Sequence, residues 1–269
     1  MIFKDFPSSI IIMIKRIVLN SSEIAKITGH NKFEPIQDYI DQVLAKHGIV
    51  EKYIPKTEVE KTLLTCGKKE LLSIKKELNL KSEATIVDIQ KKINIMTSSS
   101  LTNDSETGSK AELQKKLTEK PIVSKILKGS IEKEVMMKRG NIKENVALNK
   151  SEKKLGIKID KRNTEFYKKE LFKTDKCEVI LCGRVDGISS NNELVETKNR
   201  RNRLFNRVPN YEKIQMECYM FLTGIEKCIH IENYEDKTNT EVYQHDETIW
   251  EDTLYSIKEF IKNNVEIHL

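Results

Sequence analysis

Two acidic residues and a lysine fall within the segment GRVDGISSNNELVETKNRR, residues 183–201. Asp186 ends an apolar run, a polar stretch of turn composition follows, and Glu196 and Lys198 lie in a second apolar run. Residues two apart in a strand point to one face, and a hairpin that turns about Asn191 sets Asp186 opposite Glu196 with their side-chain roots roughly 5 Å apart. The spacing therefore predicts two carboxylates and an ammonium group on one face of a hairpin.

These three groups suit the metal-assisted hydrolysis of a phosphodiester. Two close carboxylates repel each other, which raises a pKa unless a cation neutralises them. Mg²⁺ prefers oxygen ligands and is typically held by one or two carboxylates plus a substrate phosphate. A lysine beside that ion can align or deprotonate a water and stabilise the charge on the attacked phosphate. The alternative is a solvent-exposed salt bridge, but the surrounding Val, Leu and Ile favour a site.

The composition is that of an ordered globular protein. The chain has 269 residues, 38% hydrophobic and 33% charged, which is enough to bury a sizeable core. The apolar run at residues 10–14 is too short for a signal peptide or a membrane span, so we expect an intracellular protein. The five cysteines are odd in number and form no C-x-x-C pair, which argues against a disulfide framework or a zinc site; Cys177 and Cys182 are expected in or beside a strand.

The charge is divided along the chain. Residues 225–269 carry 11 acidic and 4 basic side chains, so the net charge of +6 leaves +13 on the first 224 residues. A basic body predicts a polyanionic partner, nucleic acid before membrane, because no amphipathic basic helix stands out. Residues 198–207 hold five basic side chains and no acidic one. Five such contacts to DNA phosphates would give log K a salt slope of about −4, whereas the alternative is a solvated loop.

Around the motif, the hydrophobic periodicity predicts alternating helices and strands. Helices are expected over 21–29, 35–47, 57–95, 141–156 and 209–224 and near the end of the chain, and strands over 177–188, 193–198, 227–234 and 239–245. The helix after Gly140 is expected to begin with Asn141 and Glu144 in capping-box spacing and to end at Gly156. This order of elements predicts a mixed α/β fold.

The pattern Asp-x(9)-Glu-x-Lys resembles the PD-(D/E)xK nuclease superfamily, with Val185 where the family has proline. More specifically, the chain resembles the viral and phage recombinase nucleases of the lambda exonuclease and YqaJ type. Four blocks carry that resemblance, in chain order: SSEIAKITG at 21–29, MKRGNIKENVA at 137–147, GRVDGI with ELVETK at 183–198, and QMECYMFLTG at 215–224. They leave residues 51–128 uncovered.

The resemblance implies a fold and a domain plan. We expect a restriction-endonuclease-like α/β core, in which helices flank a central mixed sheet. Residues 1–50 would be the N-terminal part of the nuclease domain and 129–269 its core. Residues 51–128 would be an inserted helical module, with a polar linker near 97–109.

The resemblance also implies roles for residues at the site. Mg²⁺, for which Mn²⁺ could substitute, would be held by Asp186, Glu196, the carbonyl of Thr197 and Glu144. Lys198 would assist the attacking water, and Gln215 would support the site from the following helix. As a single residue, Glu144 is equally explained by the capping box.

DNA contacts are implied less specifically. Ser22 matches a serine that binds the substrate's terminal 5′-phosphate in the family, but it is equally a helix N-cap. Arg184 stands where lambda-type enzymes have serine, so capture of that phosphate is expected to differ. Tyr219 lies one turn after Gln215, where a core tyrosine is the alternative. The remaining candidates for DNA binding are the basic residues Lys15, Arg16, Arg200, Arg201, Arg203 and Arg207.

The sequence therefore leads to three hypotheses. The first is a metal-dependent 5′-to-3′ exonuclease on duplex DNA with a free end, serving viral recombination, repair or genome processing. The second is a structure-specific endonuclease on the same core, and the third is an inactive DNA-binding accessory protein, against which the intact Asp, Glu and Lys triad counts. A homo-oligomer and a single-strand-annealing or recombination partner are consistent with the resemblance. If the protein is viral, we expect it in the host cytoplasm or nucleus.

Overall fold

The computed structural model describes residues 14–31, 33–101, 125–200 and 202–269. Its helices are Ile24–Ile27 (α1), Ile36–Lys46 (α2), Glu58–Thr65 (α3), Lys68–Glu77 (α4), Ile86–Leu101 (α5), Lys125–Leu155 (α6), Asn210–Thr223 (α7) and Glu247–Asn264 (α8). Its strands are Lys15–Asn20 (β1), Ile159–Asp160 (β2), Phe166–Lys173 (β3), Cys177–Arg184 (β4), Gly187–Ser189 (β5), Leu194–Asn199 (β6), Lys227–Tyr234 (β7) and Lys237–Gln244 (β8). Among these described residues, no helix is long and apolar enough to cross a membrane.

The described strands form two mixed sheets. One has the order β1-β4-β3, with β1 parallel and β3 antiparallel to β4. The other has the order β2-β5-β6-β7-β8, in which β6 and β7 are parallel. Apolar side chains of β1 and β4 are buried together with those of α7 and α8 in one core. Helices packed on mixed sheets confirm the predicted α/β fold class.

The chain leaves one sheet and enters the other at Val185 and Asp186. The segment predicted as one strand, 177–188, is therefore two strands, β4 and β5. Gly187 permits the change because a Cβ built there would lie 2.5 Å from the side chain of Ile159, a contact that no larger residue could make without displacing its neighbour. The predicted turn about Asn191 is present, and Asn192 in it has a φ of 59°.

Strands β1, β2 and β3 were not predicted. Strand β3 has the sequence FYKKELFK and lies at the edge of its sheet. Most of its charged side chains point to solvent, so its sequence lacks the alternation of apolar and polar residues by which an amphipathic strand is predicted. The strands predicted at 227–234 and 239–245 correspond to β7 and β8, and Gly224 ends α7 with a φ of 74°. Cys177 and Cys182 are buried in β4, and all five cysteines, which lie within the described ranges, are free.

Helix α6 begins well before the predicted start at Gly140. It runs without interruption from Lys125 to Leu155, and Gly156 ends it with a φ of 65°. The prediction of a helix start with a capping box at Asn141 and Glu144 is therefore wrong, because both residues lie within the helix. Buried Ile131 and Val135 hold the first turns of α6 in place, so the helix continues through Gly140.

A second hydrophobic core lies on helices α3, α4 and α5 and on the beginning of α6. Its buried residues are Val59, Leu63, Ile74, Leu78, Ile89, Ile93, Leu127, Ile131 and Val135. Residues 97–101, predicted as the start of a polar linker, belong to helix α5. Residues 102–109 of that predicted linker lie outside the described residues.

Candidate active site

Asp186 directly precedes β5 and lies beside the middle of β6, as the hairpin register predicts. Gly187 pairs with Val195, so the next pair outward would set Asp186 opposite Glu196. The backbone N–H of Thr197 donates to Asp186 Oδ2 at 2.7 Å. This bond fixes the carboxylate just before β5 begins, beside the part of β6 that β5 does not cover.

The main chain at Thr197 turns an oxygen toward the same opening. In a strand, the N–H and C=O of one residue point to the same neighbour. Because the Thr197 N–H points to Asp186, its carbonyl also points to that side of β6, away from β7. A carbonyl oxygen in this direction is available as a hard ligand beside the two carboxylates.

Glu196 brings an unsatisfied carboxylate oxygen to the site. The residue is only 2% exposed, and its Oε1 accepts from Lys198 Nζ at 2.5 Å. Its Oε2 is buried and has no hydrogen-bond partner among the described residues. Burying a charged oxygen without a partner costs free energy, so we expect a cation or a hydrogen-bond donor to bind this atom.

Glu144 approaches from the middle of α6 and is held by Asn163. Asn163 Nδ2 donates to Glu144 Oε1 at 2.9 Å, and the Asn163 backbone N–H donates to the carbonyl of Asp186 at 3.2 Å. Asn163 has a φ of 49°, in the left-handed region that asparagine tolerates better than most residues. This residue links two of the acidic positions and was missed in the sequence, where its turn-like surroundings, KRNTE, give no sign of such a role.

Burial and neighbouring carboxylates raise the pKa of Asp186 and of Glu144. Burial raises the pKa of Asp186 well above its usual value, and Glu196 and Glu144 add to the effect. Burial and then Glu196 also raise the pKa of Glu144. The site thus holds more negative charge than Lys198 can balance.

The donor set fits a magnesium or manganese ion. Among the described residues, no group of three Asp, Glu, His or Cys side chains is placed so that it could hold a metal ion by itself. Mg²⁺ does not require one, because it keeps several waters and takes one or two carboxylates. Asp186, the unpartnered Oε2 of Glu196 and the Thr197 carbonyl supply the expected oxygens.

Lys198 is held between β6 and α7. Its Nζ donates to Glu196 Oε1 and, at 3.0 Å, to Gln215 Oε1, while Gln215 Nε2 donates to the hydroxyl of Tyr219 at 2.8 Å. Burial opposes the ammonium charge, but Glu196 and other acidic neighbours outweigh it and raise the pKa of Lys198 above its usual value. Lys198 is therefore a charged donor at neutral pH and not a base.

Tyr219 is a core residue, so its predicted contact with DNA is wrong. It is 5% exposed, and its ring packs over Gly183, where a Cβ would come within 2.8 Å of Tyr219 and 2.6 Å of the Ser21 hydroxyl. Its role in the structure is to hold Gln215 in place for Lys198.

Ser22 and Arg184 lie at the same end of the smaller sheet. The parallel strands β1 and β4 pair up to Asn20 and Cys182, and Ser22 and Arg184 each follow these by two residues. Both are exposed. The alternative of Ser22 as an N-cap does not hold, because the helical turn begins at Ser21 with Asn20 before it.

Lys15 and Arg16 are not brought to the site. They occupy the beginning of β1, where Lys15 pairs with Cys177, so they lie roughly 20 Å from Ser22 along the strand. Arg16 Nε donates to Glu178 Oε2 at 2.7 Å in an ion pair across the sheet. Their prediction as DNA contacts at the site is therefore not supported by their position.

Arg200 is buried, which contradicts its prediction as a DNA contact. Its side chain is 8% exposed and donates to both carboxylate oxygens of Glu212, at 2.5 and 2.7 Å. Its Nε donates to Glu232 Oε1 at 2.5 Å. Arg203 and Arg207, by contrast, are exposed on the segment before α7, and Arg201 lies outside the described residues.

Comparisons with known proteins give structural likenesses only. No protein-family model matches the sequence, and a search of curated proteins finds no significant match. The crystal structure of LHK-Exo in complex with dAMP is 11% identical over 93% of this chain and 89% of its own, with a TM-score of 0.47.

Two further exonuclease structures are similar. An alkaline exonuclease from Laribacter hongkongensis is 14% identical over 63% of this chain and 87% of its own, with a TM-score of 0.40. A phage-related exonuclease from Haemophilus somnus is 14% identical over 61% of this chain and 91% of its own, with a TM-score of 0.32. Since these TM-scores lie below 0.5, the chemistry of the site has to be inferred from its own geometry.

Proposed function

We propose that this protein is a metal-dependent deoxyribonuclease. The observation that carries the proposal is the pair of half-buried Asp186 and buried Glu196, in which Glu196 Oε2 is unsatisfied and Lys198 is held against the other oxygen. Burying unpaired acidic groups costs free energy, so such a cluster is expected where a cation and an anionic substrate restore the balance. Glu144 increases the negative charge, and its contact through Asn163 keeps it beside the pair.

The proposed mechanism assigns one task to each group. Asp186, Glu196 and the Thr197 carbonyl would hold Mg²⁺ or Mn²⁺, with Glu144 contributing. When bound, such an ion supplies Lewis-acid stabilisation of charge and lowers the pKa of a water. As the water oxygen bonds to phosphorus, its proton would pass to the surrounding water, and the leaving oxygen would take up a proton as its bond breaks. Lys198 would donate a hydrogen bond from Nζ to the water oxygen or to a phosphate oxygen during this step.

The finer proposal is a 5′-to-3′ exonuclease that requires a duplex end, acting in viral recombination, repair or genome processing. Ser22 and Arg184 support it, because an exposed hydroxyl and an exposed guanidinium follow the paired ends of β1 and β4, and Arg184 is two residues before Asp186. Both groups can donate to a terminal phosphate. Arg203 and Arg207 would contact the backbone of the same DNA.

The proposal is tested by digesting end-labelled linear duplex and closed circular DNA with Mg²⁺. Glu196→Gln and Lys198→Met are compared with Glu251→Gln and Lys262→Met, matched controls on the exposed face of α8. We expect the wild type and both controls to release nucleotides from the linear DNA, and the two site variants to lose at least about a hundredfold in rate.

The other outcomes separate the alternatives. Rapid cutting of the circle would replace the exonuclease by an endonuclease on the same site. DNA that is bound but never cleaved, by any variant and with either metal, would contradict the enzyme and favour an accessory DNA-binding protein.

A further inference from the structure

An exposed aromatic side chain lies at the end of the smaller sheet nearest the candidate site. Phe166 is the first residue of β3 and is 50% exposed. It pairs with Arg184, the last residue of β4, so the two side chains project from the same face of the sheet. Phe166 is absent from the apolar clusters of the described residues, whereas its neighbour Tyr167 packs on the larger core.

Two cations flank the Phe166 ring. Lys168 Nζ lies 5.3 Å from the ring centroid, and the Arg184 guanidinium carbon lies 6.0 Å from it. Contacts of this kind are weak at exposed sites, so a better partner for the ring can replace them. An aromatic face bordered by Lys and Arg is the surface that single-stranded nucleic acids use, with the base on the ring and the phosphates on the cations.

The position of Phe166 relative to the site is the second observation. Its partner Arg184 precedes Asp186 by two residues, which is about 7 Å along an extended chain. Ser22, a further exposed residue at this end, follows the paired end of β1. A nucleotide next to the one being cleaved could therefore reach the ring.

We propose that Phe166 is a stacking platform for an unpaired nucleobase at the DNA end, and that Arg184 and Lys168 contact the adjoining phosphates. The inference rests on the proposed function, which it deepens by naming the form of DNA end that is recognised. Stacking favours an unpaired base because a base within the duplex already has two stacked neighbours. The platform would thus hold a frayed or single-stranded end at the site.

The test measures binding and not cleavage. Full-length protein in EDTA is titrated into a 5′-phosphorylated duplex that ends in three unpaired nucleotides, one of them 2-aminopurine, whose fluorescence falls when it stacks. Phe166→Ala is compared with Phe166→Trp and with Tyr255→Ala, a control that is 67% exposed on α8. Circular dichroism of each variant establishes that it is folded.

We expect quenching by the wild type, by Phe166→Trp and by Tyr255→Ala. Phe166→Ala is expected to lose the quenching and about tenfold in affinity for the unpaired end, with less than about a twofold change for a fully paired blunt end. Arg184→Gln is expected to weaken binding and to reduce the salt slope of log K by about 1.

The failures of the two proposals are distinguishable. Quenching that is unchanged by Phe166→Ala, or an equal loss on blunt and unpaired ends, would overturn the platform and leave the nuclease intact. Wild-type protein that neither binds nor cleaves DNA would overturn the proposed function itself.

Discussion

At the residue scale, the candidate site places acidic side chains where burial and mutual repulsion disfavour their negative charges. Asp186, Glu196 and Glu144 lie close enough to raise the pKa of both Asp186 and Glu144. When folding raises the pKa of a carboxyl, the free energy of unfolding of the protein falls as the pH rises through that raised pKa. The reason is that the unfolded state releases the proton more readily than the folded state. At neutral pH, the metal-free protein therefore bears a cost that a divalent cation would remove.

We predict that Asp186→Asn stabilises the metal-free protein by about 1 kcal/mol, because it removes one like charge. The asparagine oxygen can still accept from the Thr197 N–H, so the local backbone is retained. Thermal unfolding in EDTA checks the prediction, and added Mn²⁺ should raise the Tm of the wild type but not that of the variant. Asp175→Asn, at an exposed bend, is the control. A lower Tm for Asp186→Asn in EDTA would show that the repulsion is not significant.

At the element scale, helix α7 is attached to the sheets by two buried glutamates. Glu212 accepts from Arg200 of the segment after β6, and His230 Nε2 of β7 lies 2.8 Å from it. The pKa of Glu212 is about 2, because Arg200 and His230 outweigh the effect of its burial. These contacts set α7 against β6, and with it Gln215, the partner of Lys198.

We predict that Arg200→Ala lowers the free energy of unfolding by about 3–5 kcal/mol, because it leaves two buried carboxylates without their cation. Arg207→Ala, an exposed change on the same segment, should leave that free energy within about 0.5 kcal/mol and weaken DNA binding instead. Urea unfolding and DNA binding at several salt concentrations check both halves. Equal effects of the two substitutions on stability would contradict the structural role of Arg200.

The second buried glutamate of α7 predicts a pH dependence of stability. Glu217 accepts from the Tyr243 hydroxyl at 2.6 Å and from the Asp246 N–H at 2.9 Å, and His245 Nδ1 lies 2.5 Å from it. Burial lowers the pKa of His245, but hydrogen bonds to Glu247 and Glu217 outweigh it and raise the pKa above its usual value. A raised histidine pKa stabilises the fold below the unfolded pKa, and the gain is lost as the pH rises through the folded pKa.

We therefore expect the wild type to lose more stability than His245→Gln between about pH 6 and about pH 9. Urea unfolding at the two pH values gives the difference. His268→Gln, near the exposed end of the chain, should follow the wild type. Parallel curves for the wild type and His245→Gln would mean that the contact with Glu217 has no net effect.

Sequence patterns predicted the elements whose signals are local. The pairing of Asp186 with Glu196 follows from a short turn and a strand period of two, so it could be predicted without knowledge of the fold. The burial of Arg200 could not be predicted in this way. It depends on Glu212 and Glu232, which contact Arg200 only when α7 and β7 pack together. The charge of the segment after β6 predicted DNA contacts. That prediction is wrong for the buried Arg200 and stays a prediction for the exposed Arg203 and Arg207.

At the scale of the whole molecule, helix α6 connects the second hydrophobic core to a third, smaller cluster on β2, β6 and β7. Its first turns place Leu127 and Ile131 in the second core, and its later turns place Leu148 against β6 and β7. Glu144 lies between these two contacts, on a helix about 46 Å long. The sequence did not show this connection, because Gly140 is typical of a helix boundary. Only the structure shows that the helix is packed on both sides of this glycine.

The second core is predicted to unfold separately from the two sheets. Leu63 is fully buried in the second core, whereas its neighbour Leu64 is 48% exposed, so the two leucines form a matched pair. Leu63→Ala should cost about 2–5 kcal/mol in the second core, and Leu64→Ala should cost much less. Because the second core is built from α3, α4, α5 and the first turns of α6, we expect the loss of hydrogen-exchange protection in Leu63→Ala to be confined to α3, α5 and the first turns of α6. Equal loss in β4 and β6 would mean that the second core and the two sheets form one cooperative unit, in which the second core contributes directly to the stability of the site.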